Sequence, residues 1–223
     1  VADSIAGRTK KVDSVAPTIT SPAVTAVNDS ATVALRASQP TSYYGVAQTV
    51  TLENKKLALQ FSTKGAFPVT ATLKNYKTYR GKPLDLFSGA GNQLSATLPY
   101  DQGKSTADLY FTPQQRTEPN GDKTIDFSAD LGSGKKVDII YTLPAADFMM
   151  HCSIVLTGIS TNSLPLVWNT NGRHTEKDIE NERMSTQVYY RNKNGENDYF
   201  TVQANEEKIV STNGPMHWFG FRK

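Results

Sequence analysis

From Leu52 to Phe87 the chain reads LENKKLALQFSTKGAFPVTATLKNYKTYRGKPLDLF, and its apolar residues recur every second position. That period commits a segment to β-strands, because successive side chains on a strand point to opposite faces. Leu57, Leu59 and Phe61 form one set, and Lys64-Gly65 supplies a turn. Phe67, Val69, Ala71 and Leu73 form the next, Arg80-Gly81-Lys82-Pro83 turns the chain again, and Leu84 to Phe87 closes a third strand. A slip of one residue would turn every apolar side chain outward, so the register of this meander is strongly constrained.

The alternation persists beyond Phe87. Leu94, Ala96 and Leu98 follow, then Leu109 and Phe111, then Ile125, Phe127 and Ala129. Val137, Ile139 and Tyr141 come next, then Phe148, Met150, Cys152, Ile154 and Leu156, then Leu164, Leu166 and Trp168. Turn chemistry separates the runs at Pro119-Asn120-Gly121-Asp122, Gly132-Ser133-Gly134, Leu143-Pro144 and Asn194-Gly195. Strands resume at Thr186 to Arg191 and Tyr199 to Gln203. Many short strands at near-regular spacing predict an antiparallel sandwich or barrel, and 223 residues favour an extended sandwich.

Two segments depart from this rhythm. Residues 1–46 are rich in Ala, Ser, Thr, Val and Pro and lack a sustained period, so they read as an arm or linker, with a short helix expected from Asn28 to Ser38. Thr175 to Met184 carries helix formers and a Thr-x-x-Asp start like a capping box. Its only apolar residues are Ile179 and Met184, which predicts a surface position.

Charged residues make up 20% of the chain and the formal net charge is +3. The cations are interspersed with acids, and no basic block of the kind that follows a phosphate backbone is present, so no nucleic-acid partner is expected. The longest apolar runs, such as Ser153-Ile154-Val155-Leu156, fall far short of the roughly 18 residues of a membrane helix. No charged, then apolar, leader opens the chain, and a start at Val1 instead of Met suggests a piece of a longer protein. The single cysteine, Cys152, permits no internal disulfide.

The chemistry-bearing residues point away from catalysis. His151 and Cys152 are adjacent, so a strand would turn them to opposite faces and they could not share a metal ion. Cys152 shares its face with Met150 and Ile154 and is expected as a buried thiol. His174 and His217 have no second ligand at a characteristic spacing, so no metal site is expected. A nucleophile elbow, a His-Glu-x-x-His pair and a phosphate loop are all absent, so no catalytic residue and no cofactor is assigned. The acids of 176–182 read as a solvated face. Trp218, Phe219 and Phe221, followed by Arg222 and Lys223, form the best candidate functional surface: aromatic residues settle at the level of lipid headgroups, and basic residues attract anionic lipid.

The Leu52–Phe87 stretch resembles the opening of the large periplasmic domain of the YidC family of membrane protein insertases. There a LEN.KL....S.KG segment precedes LKNYKTY.GKPL.LF. Tyr189-Tyr190-Arg191, Asn197-Asp198-Tyr199-Phe200 and the terminal Met216-His217-Trp218-Phe219-Gly220-Phe221-Arg222-Lys223 are similar to later parts of that domain. The resemblance implies a mainly β fold, an antiparallel β-supersandwich of the galactose mutarotase-like kind with one or two short helices. It divides the chain into an arm (1–46), a sandwich (47–213) and a segment leading back to the membrane (214–223).

It further implies a place on the periplasmic face of a Gram-negative inner membrane, with one transmembrane helix before Val1 and five after Lys223. The implied role is non-catalytic, as scaffold or docking surface, with the Sec translocon, nascent inner-membrane proteins and the membrane surface as partners. Two alternatives on the same fold are a carbohydrate-binding or mutarotase-like domain, and a chaperone-like groove for hydrophobic peptide or lipid. Asp3-Ser4-Ile5, Asp13-Ser14-Val15 and Asp29-Ser30-Ala31 resemble the acceptor pattern of some envelope O-glycosylation systems, which makes Ser4, Ser14 and Ser30 candidate acceptors.

Overall fold

The computed structural model describes residues 39–89, 91–100, 102–171, 173–191, 194–201 and 218–222. The meander expected from Leu52 to Phe87 is present, with one more strand ahead of it. Strands β1 (Thr49–Glu53), β2 (Leu57–Ser62), β3 (Pro68–Lys77) and β4 (Pro83–Ser88) form an antiparallel sheet in that order. A second antiparallel sheet holds β6 (Thr112–Thr117), β7 (Lys123–Gly132), β8 (Lys135–Leu143) and β9 (His151–Thr157), also in chain order. Strand β5 (Gln93–Ala96) pairs with β10 (Leu166–Asn169). Helix α1 (Ile179–Met184) leads into a three-stranded sheet, in which β11 (Gln187–Arg191) lies between β12 (Asn197–Thr201) and β13 (Trp218–Arg222). The fold is thus mainly β and antiparallel, with few short helices, as the periodicity predicted.

The core lies between the two four-stranded sheets. Leu57, Leu59 and Phe61 of β2 and Ala71 of β3 are buried against Ile125, Phe127 and Ala129 of β7 and Val137, Ile139 and Tyr141 of β8. The Phe61 ring stands 4.8 Å from that of Tyr141 and 5.5 Å from that of Phe127. Burying each of these large side chains is worth about 2–3 kcal/mol.

Two polar knots tie the turns of one sheet to the other. Gly65 (φ 81°) and Ala66 (φ 52°) both adopt left-handed backbone in the β2–β3 turn. The turn leaves the Ala66 carbonyl inside the core, where an unpaired backbone group is costly, and the Tyr141 hydroxyl donates to it at 2.8 Å. The Gly65 amide donates to the Leu109 carbonyl at 2.9 Å, and the Phe111 amide to the Thr63 carbonyl at 2.8 Å.

The second knot is buried Asn54. Its Nδ2 donates to the carbonyls of Pro144 (2.6 Å) and Asp147 (2.7 Å), while Oδ1 accepts from the amides of Lys56 and Leu57 (both 2.8 Å). One side chain therefore closes the β1–β2 turn and anchors the β8–β9 loop.

Several expectations change. Strands β1 and β6 were not read separately from the sequence. Strand β6, TPQQRT, is almost wholly exposed at the sheet edge and offers no apolar alternation. Leu109 and Phe111 are buried as expected, yet they follow a 3-10 turn (Thr106–Asp108) and lie outside the strands. Cys152, expected in the core, is exposed, because β9 is the outer strand of its sheet and only Met150, Ile154 and Leu156 pack partly against the core. Helix α1 starts at Ile179 with Asp178 as its cap, accepting from the Asn181 amide at 3.0 Å, so the cap lies three residues beyond Thr175.

At the front of the described chain, buried Ser42 donates to the Asp130 carbonyl of β7, and its own carbonyl accepts from the Tyr110 amide at 2.7 Å. Docking contacts thus begin before residue 47. The helix expected at Asn28–Ser38 lies outside the described residues.

Replacing Asn54 by Ala orphans two carbonyls and two amides at a buried site and should cost about 2–4 kcal/mol in urea unfolding. Asn54→Asp keeps the Oδ1 acceptor but sets a carboxylate oxygen against the Pro144 and Asp147 carbonyls, so it should cost at least as much as Asn54→Ala near neutral pH. A loss below about 0.5 kcal/mol for Asn54→Ala would show that the anchor is dispensable.

Candidate functional site

A cleft of about 650 Å³ opens beside the β3–β4 hairpin. One wall is the hairpin turn itself, with Thr78, Tyr79, Arg80 and Lys82 facing the space. Gly81, at φ 75°, lets the turn close: its amide donates to the Thr78 carbonyl and the Thr78 amide to the Lys82 carbonyl, both at 2.8 Å. Arg80 Nε donates to the Tyr79 hydroxyl at 2.6 Å, and its guanidinium stands 5.2 Å from the Tyr79 ring. Deeper along the strands, Thr72 donates to Asp85 Oδ1 at 2.6 Å.

The opposite wall comes from a segment about ninety positions later. Arg173, His174, Thr175 and Glu176 line it, together with Ile179. This wall is pinned from behind by Glu182 of α1, whose side chain is only 2% exposed. Its Oε2 accepts from His174 Nδ1 at 2.9 Å, and its Oε1 accepts from the Thr175 amide at 3.0 Å and hydroxyl at 3.1 Å. The Thr186 hydroxyl donates to the Glu182 carbonyl at 3.0 Å. Helix α1 thus buries Glu182 and exposes Ile179 and Met184, the reverse of its apolar pattern. The Tyr79 amide meets the Thr175 carbonyl at 3.5 Å and joins the two walls.

The arrangement suits binding better than acid–base chemistry. Glu182 lies behind the wall and not among the residues lining the cleft, so it orients His174 without reaching the space itself. Arg80 and Lys82 were legible in the sequence only as turn residues. The acids of 176–182 were read as a solvated face, and Glu182 corrects that reading, because folding gives it three donors in a buried pocket.

The other sequence candidates lie elsewhere. His151 and Cys152 are both exposed on β9. Burial of its inner side pushes the Cys152 thiol above its ordinary pKa, and a hydrogen bond with Tyr141, its cross-strand partner, offsets part of that rise. His217 is outside the described residues, and among the described residues no group of three His, Cys, Asp or Glu side chains is placed to hold a metal ion. Trp218 is 45% exposed and opens β13, with Phe219, Phe221 and Arg222 in the same strand. That strand pairs with β11, Arg191 opposite Trp218 and Gln187 opposite Arg222. The sequence pattern did not predict a strand there. Lys223, Ser4, Ser14 and Ser30 lie outside the described residues. No helix among the described residues is long and apolar enough to cross a membrane.

Residues 49–223 match the family described as the YidC periplasmic domain. The chain belongs to that family. It is similar to proteins named membrane protein insertase YidC: 32% identical over 185 residues to that of Cytophaga hutchinsonii, 30% over 188 residues to that of Porphyromonas gingivalis, and 29% over 186 residues to that of Parabacteroides distasonis. Each match covers 80% of this chain and 29% of the relative, so the chain spans under a third of their length. No solved structure matches the chain significantly. Membership of the YidC periplasmic family favours the insertase reading over the sugar-binding and hydrophobic-groove alternatives. It also gives the recognisable motifs a physical sense. Asn54 of the LEN segment is the anchor between sheets, and the LKNYKTYRGKPLDLF segment builds the hairpin wall of the cleft.

A raised thiol pKa leaves less thiolate at a given pH. Cys152 should therefore react with iodoacetamide more slowly than a free cysteine peptide near pH 8, with the difference closing as pH rises well above 9. A rate at or above that of the peptide near pH 8 would contradict the raised thiol pKa.

Proposed function

We propose that this chain is the non-catalytic periplasmic domain of an inner-membrane insertase and assists insertion as a scaffold and docking surface. The observation that carries the proposal is the family match, which runs without interruption from β1 through β13. In this reading the insertion chemistry belongs to the part of the protein beyond this domain. The docking partners are nascent inner-membrane proteins and components of the Sec translocon. The aromatic and basic end, Trp218, Phe219, Phe221, Arg222 and Lys223, places the domain against the bilayer. Exposed Trp218 suits the headgroup level, where an indole buries its apolar body and keeps its N–H hydrated.

The test uses the full-length gene in cells depleted of their own insertase, with insertion of a small membrane protein scored by protease protection. One deletion removes residues 49–169, both four-stranded sheets, and keeps β11 as the partner of β13. A second variant replaces Trp218, Phe219 and Phe221 with Ser. The deletion should leave insertion within about twofold of normal, whereas the triple replacement should reduce it about tenfold or more. Loss of insertion on deletion alone, at normal protein level, would give the sandwich a direct role and sink the accessory reading.

A further inference from the structure

We infer that the cleft beside the β3–β4 hairpin is a binding site for an organic phosphate, held between the cations of its two walls. Arg80 and Lys82 stand on one wall and Arg173 on the other, so an anion in the cleft meets positive charge from both sides. Neither Arg80 nor Lys82 forms an ion pair among the described residues. Two carboxylates also line the space. Asp85 is engaged by the Thr72 hydroxyl, and Glu176 is exposed. A guanidinium presents parallel N–H donors that match two phosphate oxygens, and an ammonium adds a compact point charge.

The site is built, and this separates it from a patch of surface cations. Each wall is fixed by its own hydrogen bonds: the hairpin by the Thr78 amide on the Lys82 carbonyl and the Gly81 amide on the Thr78 carbonyl, the other wall by buried Glu182. Because His174 Nδ1 is committed to Glu182, Nε2 is the ring nitrogen left to face a ligand. The Thr78 and Tyr79 side chains supply hydroxyls, and the Tyr79 ring an apolar face. At about 650 Å³ the cleft is far larger than one phosphate needs, and has room for the alcohol esterified to it. A glycerophosphate-sized group fits this description, either free in solution or as the headgroup of an anionic phospholipid. This site is independent of the proposed role of Trp218 at the membrane.

The experiment uses the 223-residue chain. Glycerol 3-phosphate, with glycerol as control, is titrated by calorimetry and amide chemical shifts. Vesicles of phosphatidylglycerol in phosphatidylcholine, with pure phosphatidylcholine as control, are tested by co-sedimentation. The expected result is binding of the phosphorylated probe in at least one arm, with shifts centred on residues 78–82 and 173–176. The exposed double variant Arg80→Gln with Lys82→Gln should weaken it tenfold or more.

Saturation by glycerol 3-phosphate supports a soluble ligand. Binding to phosphatidylglycerol vesicles alone, lost in the double variant, supports a headgroup. Glu182→Gln separates a built site from diffuse attraction: it removes negative charge, so diffuse attraction predicts equal or tighter binding, whereas loss of the carboxylate that holds the wall predicts weaker binding. The inference is overturned if neither phosphorylated probe binds, or if the double variant binds as the parent does. Vesicle binding that depends only on Trp218 would also overturn it, and would leave the membrane-facing role of the terminal strand intact.

Discussion

The contact on which the rest of the structure depends is the one Tyr141 makes across the sandwich. Its ring packs against Phe61 and Phe127, and its hydroxyl reaches through the core to the Ala66 carbonyl. That hydroxyl satisfies a backbone group left inside by two successive left-handed residues, Gly65 and Ala66. With the turn secured, β3 pairs back along β2, with one register shift between Gln60 and Phe61, and carries its far end to the hairpin that forms one wall of the cleft. The same burial that makes the core raises the Tyr141 hydroxyl well above its ordinary pKa, so it stays a neutral donor at any physiological pH.

The chain handles its polar burial in one consistent way. Asn54, Tyr141 and Glu182 each take a side chain that is costly to bury and give it partners from turns or loops: backbone groups for Asn54 and Tyr141, and the His174 ring with the Thr175 amide and hydroxyl for Glu182. These three positions hold the irregular parts of the fold, while the regular parts are held by apolar alternation and ladder pairing. Long loops between strands can therefore be fixed in place without adding to the core. The cleft inherits this division, since its hairpin wall is an extension of the regular meander and its other wall is a loop made rigid by a buried carboxylate.

Family membership and the cleft address different levels of function. The match to YidC periplasmic domains spans every described strand and speaks for a common architecture. The cleft is a local arrangement of cations on that architecture. If the proposed phosphate site takes a lipid headgroup, the domain has a direct way to grip an anionic surface. The exposed tryptophan of β13 would act through a different attraction, the partition of an aromatic ring into the interface.

The sequence by itself determined the strands of the meander, the turns between them and the apolar set Leu57, Leu59, Phe61, Ile125, Phe127, Val137, Ile139 and Tyr141. Period-two alternation, punctuated by Gly and Pro, has one low-energy answer when a face must be buried. It gave no sign of β6, which is polar and at an edge. It misled at Cys152, because alternation looks the same on a central strand and on an outer one. It was silent on the cleft for a different reason. Arg80 and Arg173 are far apart in the chain, and no local pattern records which loops a sheet will bring together. Glu182 shows the limit most plainly: nothing local distinguishes it from Glu180, and only the tertiary structure places three donors around one of them and leaves the other in water.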